Sequence, residues 1–167
     1  MIYYIILFMN VIIDKFKLID CQLINLKSVI NDPNVYNNVG RYPVLLSNSC
    51  YTGDIHTKQS LSLSEQYVLK KDKGSIAFLG SVSIGVAQFL HFITGNFYHQ
   101  FGGQSYGKGV GDILKAAIIN TEYSVVSSDS IERFTCMEMT IEGDPAVKMN
   151  LFYKPDYAIS NNDLYFN

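Results

Sequence analysis

The chain has 167 residues, which is enough for one domain with a substantial core. A formal net charge of −2, with no Lys/Arg-rich cluster, argues against a nucleic-acid-binding face. The three cysteines (Cys21, Cys50 and Cys136) are widely spaced, which predicts neither a disulfide framework nor a metal site, and we expect no cofactor.

Residues 1–13 form an apolar run that is interrupted only by Asn10. The run is too short for a membrane-spanning helix, which takes about 20 residues, and it lacks the features of a signal peptide. We interpret it as an internal strand of a larger protein that begins upstream, and the chain as a fragment from a truncated or mis-started reading frame. Residues 1–30 are therefore expected to be an uncertain apolar start with a partial strand.

The segment 43–56 dominates the sequence. Pro43 and the three aliphatic residues after it predict a strand over 43–48 that is buried on both faces, and the polar residues Ser47, Asn48 and Ser49 follow. They indicate where the strand leaves the carboxyl edge of a sheet, which is the edge where α/β proteins bind ligands. Cys50 at this edge is a candidate nucleophile, because its thiol can ionise and be reached. The alternative is that Cys50 is a small buried hydrophobe.

The next elements predict a βαβ unit. Ser62 and Glu65 fit a capping box, so a helix is expected over 63–70, and residues 75–79 predict a second buried strand parallel to the first. The small residues 81–85 would then lie at the carboxyl edge beside Cys50, where they could leave room for a substrate. Alternatively, Ser81 or Ser83 caps the following helix.

The second half of the chain predicts three further helices. The first, over 86–101, is rich in aromatic residues that favour core packing, and it carries His91 and His99, which we interpret as structural or surface residues. A glycine-rich segment, 102–111, lacks the P-loop and dinucleotide patterns and favours a connection over a phosphate cradle. A helix follows from Val110, and another is predicted over 130–141, with its apolar face inward and Cys136 buried. Residues 147–152 predict a last strand, and 153–167 a polar tail.

Four of these pieces resemble one family. The stretch 36–43 running into 47–56 resembles the nucleophile segment of gingipain-type cysteine peptidases, nearest to the branch of the type IX secretion surface peptidase. Segments 74–81, 107–117 and 143–146 agree in the same order, so the resemblance covers roughly residues 31–150. It implies a caspase-like α/β fold, an open sheet of mostly parallel strands with flanking helices, incomplete at its N-terminal side. Residues 31–152 would be the C-terminal part of the catalytic domain.

The resemblance also implies a function. It implies a Cys–His dyad with Cys50 as the nucleophile, a peptide or protein substrate, and a secreted or bacterial cell-surface location, with an upstream half-domain or the secretion machinery as possible partners. The residues that it places beside the substrate are Ser49, Gly53, Ser81, Val82 and Ser83.

The catalytic histidine of the family lies well upstream of the cysteine, where this chain has residues 16–21. No histidine precedes His56, which becomes the in-chain substitute. We therefore expect the chain alone to be inactive as a peptidase. The alternative is a non-catalytic remnant or binding module of the same fold.

Overall fold

The computed structural model describes residues 5–8, 32–56, 60–124 and 130–149. The strands are β1 (Ile5–Phe8), β2 (Val44–Ser47), β3 (Ala77–Ser81) and β4 (Met139–Gly143). The helices are α1 (Leu63–Val68), α2 (Ala87–Gly102), α3 (Val110–Ser124) and α4 (Ser130–Met137), and a short 3-10 helix covers Pro33–Val35.

The four strands form one sheet in the order β1-β2-β3-β4. The first three strands are parallel, with Phe8 beside Ser47 and Leu46 beside Leu79, and β4 runs antiparallel to β3. This arrangement confirms the predicted α/β fold with a mostly parallel sheet and flanking helices. It also confirms a strand within the apolar start of the chain.

The connection between β2 and β3 forms as its sequence predicts. The Ser62 hydroxyl accepts from the Glu65 amide at 3.1 Å, and the Glu65 carboxylate accepts from the Ser62 amide at 2.7 Å, which is the capping box. Helix α1 then ends at Val68, two residues before the predicted end. Gly74 has a φ of 81° that allows the chain to turn into β3.

Helices cover both faces of the sheet. Alternate residues of β2 and β3 point to opposite faces, so Val44, Leu46 and Leu79 join a large cluster with α2 and α3, while Leu45 and Phe78 pack against Tyr67 of α1. All residues of these two strands are buried. Their burial confirms the prediction of two buried strands, and their carboxyl ends fix the position of Cys50.

The prediction of one helix over 130–141 is wrong. Helix α4 ends at Met137, and residues 139–143 form β4, because Ile141 pairs beside Leu79 of β3. The apolar face of α4 points to solvent, with exposed fractions of 54% for Ile131, 61% for Phe134 and 77% for Met137. The buried residues of the helix are Glu132, Thr135 and Cys136. Pairing with β3 thus overrides the helical pattern, whereas the predicted burial of Cys136 is confirmed.

The glycine-rich segment connects α2 to α3, as predicted. A Cβ on Gly109 would lie 2.8 Å from the Pro145 carbonyl oxygen, and one on Gly111 would lie 2.8 Å from the Pro145 Cβ. These two glycines therefore permit a close approach of the 144–147 turn rather than the cradling of a ligand.

Several predictions fall at the limits of the described residues. Of the predicted last strand, residues 147–149 are described, and Lys148 forms a single bridge with Gly109. The polar tail, residues 153–167, and the segment 14–30 lie outside the described ranges. Within those ranges, none of the helices combines the length and the apolarity needed to cross a bilayer.

Candidate active site

Cys50 lies at the carboxyl edge of the sheet, three residues beyond the end of β2. The polar turn begins at Ser47, whose hydroxyl accepts from the Ser49 amide at 3.3 Å. Because β2 and β3 are parallel, the segment after Ser81 emerges at the same edge. The structure thus brings together the two loops that the sequence placed beside each other.

The residue after Cys50 has an unusual backbone conformation. Tyr51 has a φ of 58°, in the left-handed region that few non-glycine residues occupy. Its amide donates to the Ser83 carbonyl at 2.9 Å, and the Gly53 amide donates to the Ser81 carbonyl at 3.0 Å. These two bonds fix the turn against the end of β3. They also occupy two amides beside the thiol, so neither can stabilise an oxyanion while its bond persists.

The Cys50 thiol is half-buried and donates to the carbonyl oxygen of Gly85 at 3.2 Å. A thiolate has no proton to donate, so this contact belongs to the resting thiol. Activation of the nucleophile requires that the bond to Gly85 be broken and the proton be passed to a base.

Tight packing between glycines fixes the turn on β3. A Cβ on Gly53 would lie 2.7 Å from Thr140 Cγ2 and 3.2 Å from the Gly80 carbonyl oxygen. A Cβ on Gly80 would lie 2.6 Å from the Thr52 hydroxyl oxygen, which itself donates to the Ser49 carbonyl at 3.2 Å. The buried Gly53 is therefore explained by the approach of two backbones.

Asn48 connects the nucleophile segment to helix α2. Its side chain is hydrogen-bonded to the hydroxyl of Thr94, a buried residue of α2. The Thr94 hydroxyl also contacts the Leu90 carbonyl at 2.9 Å. Since Asn48 lies two residues before Cys50, this contact restrains the backbone that carries the thiol. The sequence analysis did not identify this role, because only the fold brings Thr94 to Asn48.

The loop 82–86 contacts Cys50 through Gly85, and it is also restrained. The Ser81 hydroxyl donates to the Ser83 carbonyl at 3.1 Å and accepts from the Ser83 amide at 3.3 Å, while the Val82 amide donates to the Glu138 carbonyl at 2.9 Å. The alternative prediction that Ser81 or Ser83 caps α2 is wrong, because Val86 is the N-cap and makes no side-chain capping bond. The Ser81 hydroxyl instead bonds the backbone of Ser83 within the loop.

The predicted substrate residues differ in accessibility. Ser49 is exposed, and Val82 and Ser83 are half-buried, whereas Gly53 and Ser81 are buried. Ser81 is the last residue of β3, and the other four lie on the two loops at the carboxyl edge. The exposed and half-buried members can face a peptide, and the two buried members shape the backbone around them.

His56 is exposed, and its amide donates to the Asp54 carboxylate at 3.0 Å. The hydrogen bond of the thiol runs to Gly85, on the other loop. A Cys50–His56 dyad therefore stays a prediction. His91 and His99 are exposed on α2.

A half-buried carboxylate, that of Glu142, lies on the far side of the turn. The Ser64 amide donates to the Thr52 carbonyl at 2.9 Å, and the Ser64 hydroxyl donates to the Glu142 carboxylate at 2.8 Å. Burial raises the pKa of Glu142, the Ser64 bond lowers it, and the charge of Glu65 raises it further. This contact links α1, β4 and the nucleophile turn, and it escaped the sequence analysis because β4 was predicted as helix.

Comparison with known proteins agrees with this arrangement. The sequence model of peptidase family C25 matches residues 24–150. A solved protease structure aligns with a TM-score of 0.55 at 16% identity, covering 65% of this chain and 28% of its own. The crystal structure of the Arg-specific cysteine proteinase gingipain R aligns with a TM-score of 0.52 at 14% identity, covering 65% of this chain and 26% of its own. At these identities the two structures show a shared fold, and this chain spans less than a third of either. No curated protein sequence matches it.

Proposed function

The chain belongs to peptidase family C25, and on that premise we propose that Cys50 is the nucleophile of a cysteine peptidase site at the carboxyl edge of the sheet. The observation that carries the proposal is the position of the thiol. It is partly accessible, lies on a turn fixed by Tyr51 and Gly53, and faces the loop 82–86. These features suit a thiol that must meet an extended peptide, and they are poorly explained by core packing.

The proposed reaction is acyl transfer to the thiol. The Cys50 sulfur attacks the carbonyl carbon of the peptide bond while a base takes its proton. The C–N bond then breaks as the amine takes that proton, which leaves a thioester, and water hydrolyses the thioester to regenerate the thiol. For the first step, the bond from the thiol to the Gly85 carbonyl must open.

The residue that acts as the base, by taking the proton of the Cys50 thiol, is not identified in this chain. No histidine precedes His56 in the sequence, and His56 is exposed on the loop after Cys50. The carboxyl end of β1 at Phe8 lies beside Ser47, so β1 ends at the same edge of the sheet as β2. We propose that the chain alone cleaves peptides poorly, and that an imidazole from an upstream half-domain would complete the site.

Location and pathway rest on the family resemblance. A secreted or cell-surface peptidase, with a role in processing type IX secretion signals, is the proposal that follows from it. Protein substrates follow from family membership. The domain limits 31–152 remain part of the same proposal.

The test separates the nucleophile from the base. The 167-residue chain is treated with a peptidyl acyloxymethyl ketone and, separately, with iodoacetamide, and labelling is mapped by mass spectrometry. The iodoacetamide rate measures the intrinsic reactivity of the Cys50 thiol. We expect the peptide reagent to label Cys50 faster than this reactivity allows, and Cys50→Ser to abolish that labelling. Slower labelling of His56→Ala would identify His56 as the base, whereas an unchanged rate would favour a base supplied from upstream.

A peptide-cleavage assay completes the test. We expect wild type and Cys50→Ser to release product equally slowly. Cleavage by wild type that Cys50→Ser abolishes would overturn the proposal that the chain alone is inactive. The second candidate function is a non-catalytic remnant, because no histidine precedes His56. It would be favoured if the peptide reagent labelled Cys50 no faster than the intrinsic reactivity of the thiol allows.

A further inference from the structure

One exposed aliphatic side chain lies beside the candidate nucleophile. Ile84 is 61% exposed. Its two neighbours both contact the nucleophile segment: the Ser83 carbonyl accepts from the Tyr51 amide at 2.9 Å, and the Gly85 carbonyl accepts from the Cys50 thiol at 3.2 Å. Ile84 thus lies between the two backbone groups that contact the thiol and the turn after it.

The backbone around Ile84 is fixed. Gly85 is buried, and a Cβ there would lie 2.5 Å from Leu90 Cδ1, so this part of the loop rests directly on α2. The paired Ser81–Ser83 hydrogen bonds restrain the preceding residues. Isoleucine has few side-chain rotamers, so the apolar surface that Ile84 presents is largely formed before a ligand binds.

Tyr51 presents a second apolar surface at the same junction. It is 39% exposed, and its amide bond to Ser83 holds it one residue from Ile84 along the facing loop. Single exposed apolar residues are ordinary on protein surfaces. Here two of them lie on the two segments that meet at the thiol, and both backbones are restrained.

The carboxylate on the loop after Cys50, that of Asp54, is hydrogen-bonded within the same loop. The Asp54 side chain accepts from the His56 amide at 3.0 Å, within its own loop. A site that selects a basic substrate residue needs a carboxylate directed at that residue. The exposed side chains at this edge, Tyr51 and Ile84, instead favour an apolar substrate residue.

We propose that Tyr51 and Ile84, the apolar rim of the site, select peptides with a bulky aliphatic or aromatic side chain next to the bond that is cleaved. The proposal rests on the proposed role of Cys50 as a nucleophile. A leucine or phenylalanine side chain against Ile84 removes apolar surface from water on both partners. Apolar pockets discriminate by about 10-fold to 200-fold per methylene-sized difference, so a preference of about 10-fold is expected.

The experiment compares peptide reagents on the intact chain. Five acyloxymethyl ketones share one peptide and differ only in the residue next to the reactive ketone, which is Leu, Phe, Ala, Arg or Glu. The labelling rate of Cys50 is measured by mass spectrometry and divided by the iodoacetamide rate of the same protein. We expect the Leu and Phe reagents to label about 10-fold faster than the Ala, Arg and Glu reagents.

Variants then test the role of Ile84. The labelling rate with the Leu reagent, divided by the rate with the Ala reagent, should fall close to one in Ile84→Ala. Ile84→Val should retain most of the wild-type ratio. Ile84→Asp should lower the Leu rate and raise the Arg rate. The control is Ile119→Ala, since Ile119 is another exposed isoleucine, in the groove between α3 and β4, and its ratio should equal that of wild type. Thermal unfolding confirms that each variant is folded.

The outcomes separate this proposal from the one on which it rests. A wild-type preference for Arg or Glu, or an Ile84→Ala ratio equal to that of wild type, would overturn the apolar rim and leave Cys50 as the nucleophile. Peptide reagents that give no gain at Cys50, whatever their side chain, would overturn both. The wild-type series decides the matter even if a variant fails to fold.

Discussion

The two cysteines in the described parts of the chain lie in opposite environments. Cys50 is half-buried at the edge of the sheet, and its thiol contacts the backbone of a loop. Cys136 lies on the inner face of α4 and is 2% exposed. Burial, together with the nearby charges of Glu122 and Glu132, raises the pKa of Cys136 to about 11.

The difference shows what turns a cysteine into a candidate nucleophile. Attack requires a thiolate and a path for the substrate, and a core thiol lacks both. Cys136 packs as a small hydrophobe, which is the usual role of a free cysteine. Cys50 lies outside the core because the polar residues after β2 lead the chain to the edge of the sheet, and because the bonds of Tyr51 and Gly53 hold the turn in place.

The largest expected effect is the difference in labelling between the two thiols. At pH 8, only about one Cys136 thiol in a thousand is ionised, because its pKa is about 11. We expect iodoacetamide to label Cys50 at least about 100-fold faster than Cys136 in the folded chain. Peptide mapping by mass spectrometry resolves the sites, with Cys21 quantified separately. If Cys50 and Cys136 were labelled at the same rate in the folded chain, as they should be in urea, the contrast between the two thiols would be contradicted.

The second prediction disturbs the turn that holds Cys50. A Cβ on Gly53 would lie 2.7 Å from Thr140 Cγ2 and close to the Gly80 backbone. Gly53→Ala should therefore lower the free energy of unfolding by about 1–3 kcal/mol and reduce the labelling of Cys50 by the peptide reagent.

Gly95→Ala is the matched control for this substitution. Gly95 lies within α2 with open space around its Cβ position, so the change should raise the free energy of unfolding by up to about 1 kcal/mol. Urea unfolding measures both variants. A Gly53→Ala protein as stable and reactive as wild type would show that the tight packing of the turn is irrelevant.

The third prediction concerns the pH dependence of stability that Cys136 causes. Its pKa rises from an ordinary 9.0 to about 11 on folding, so the folded state retains a proton that the unfolded state loses between these values. The contribution is complete below pH 9 and is lost as the pH rises to 11. Relative to Cys136→Ala, wild type should lose on the order of 2 kcal/mol over this range. Parallel stability curves for the two proteins, measured by urea unfolding, would refute the assignment.

The smallest expected effect is that of Glu142, below the nucleophile turn. Its pKa is raised by burial and by Glu65, so its charged form weakens the folded state as the pH rises through the folded pKa. Glu142→Gln keeps an oxygen that can accept from Ser64 and removes the charge. We expect the variant to be a few tenths of a kcal/mol more stable than wild type at pH 7 and equal to it at acidic pH. A variant that is less stable at pH 7 would show that the charge strengthens the Ser64 bond.

Local sequence signals predicted the first half of the site. The aliphatic run of β2, the capping box of α1 and the glycine at 74 each act over a few residues, and together they fix two parallel strands with Cys50 at their carboxyl edge. The placement of residues 81–85 beside Cys50 follows from the same parallel pairing. Family resemblance added the expected chemistry.

The remaining features depend on contacts between distant segments. Ile141 continues the apolar spacing of Ile131, Phe134 and Met137, yet pairing with β3 takes it into a strand. The contact of Asn48 with Thr94 and that of Ser64 with Glu142 each join segments far apart in the sequence. The positive φ of Tyr51 has no local signature either, because tyrosine rarely adopts it. Tertiary packing, rather than propensity, decides all of these.

The most direct test of the central claim compares a peptide reagent with its mirror image. A site that binds a peptide beside Cys50 distinguishes L- from D-residues, whereas a thiol that is merely accessible reacts equally with both. The rate of Cys50 labelling by an L-peptidyl acyloxymethyl ketone is measured against that of the all-D reagent, over a range of concentrations. We predict a faster, saturable reaction with the L-reagent. Equal and unsaturable rates would contradict a peptide-binding nucleophile at this edge of the sheet.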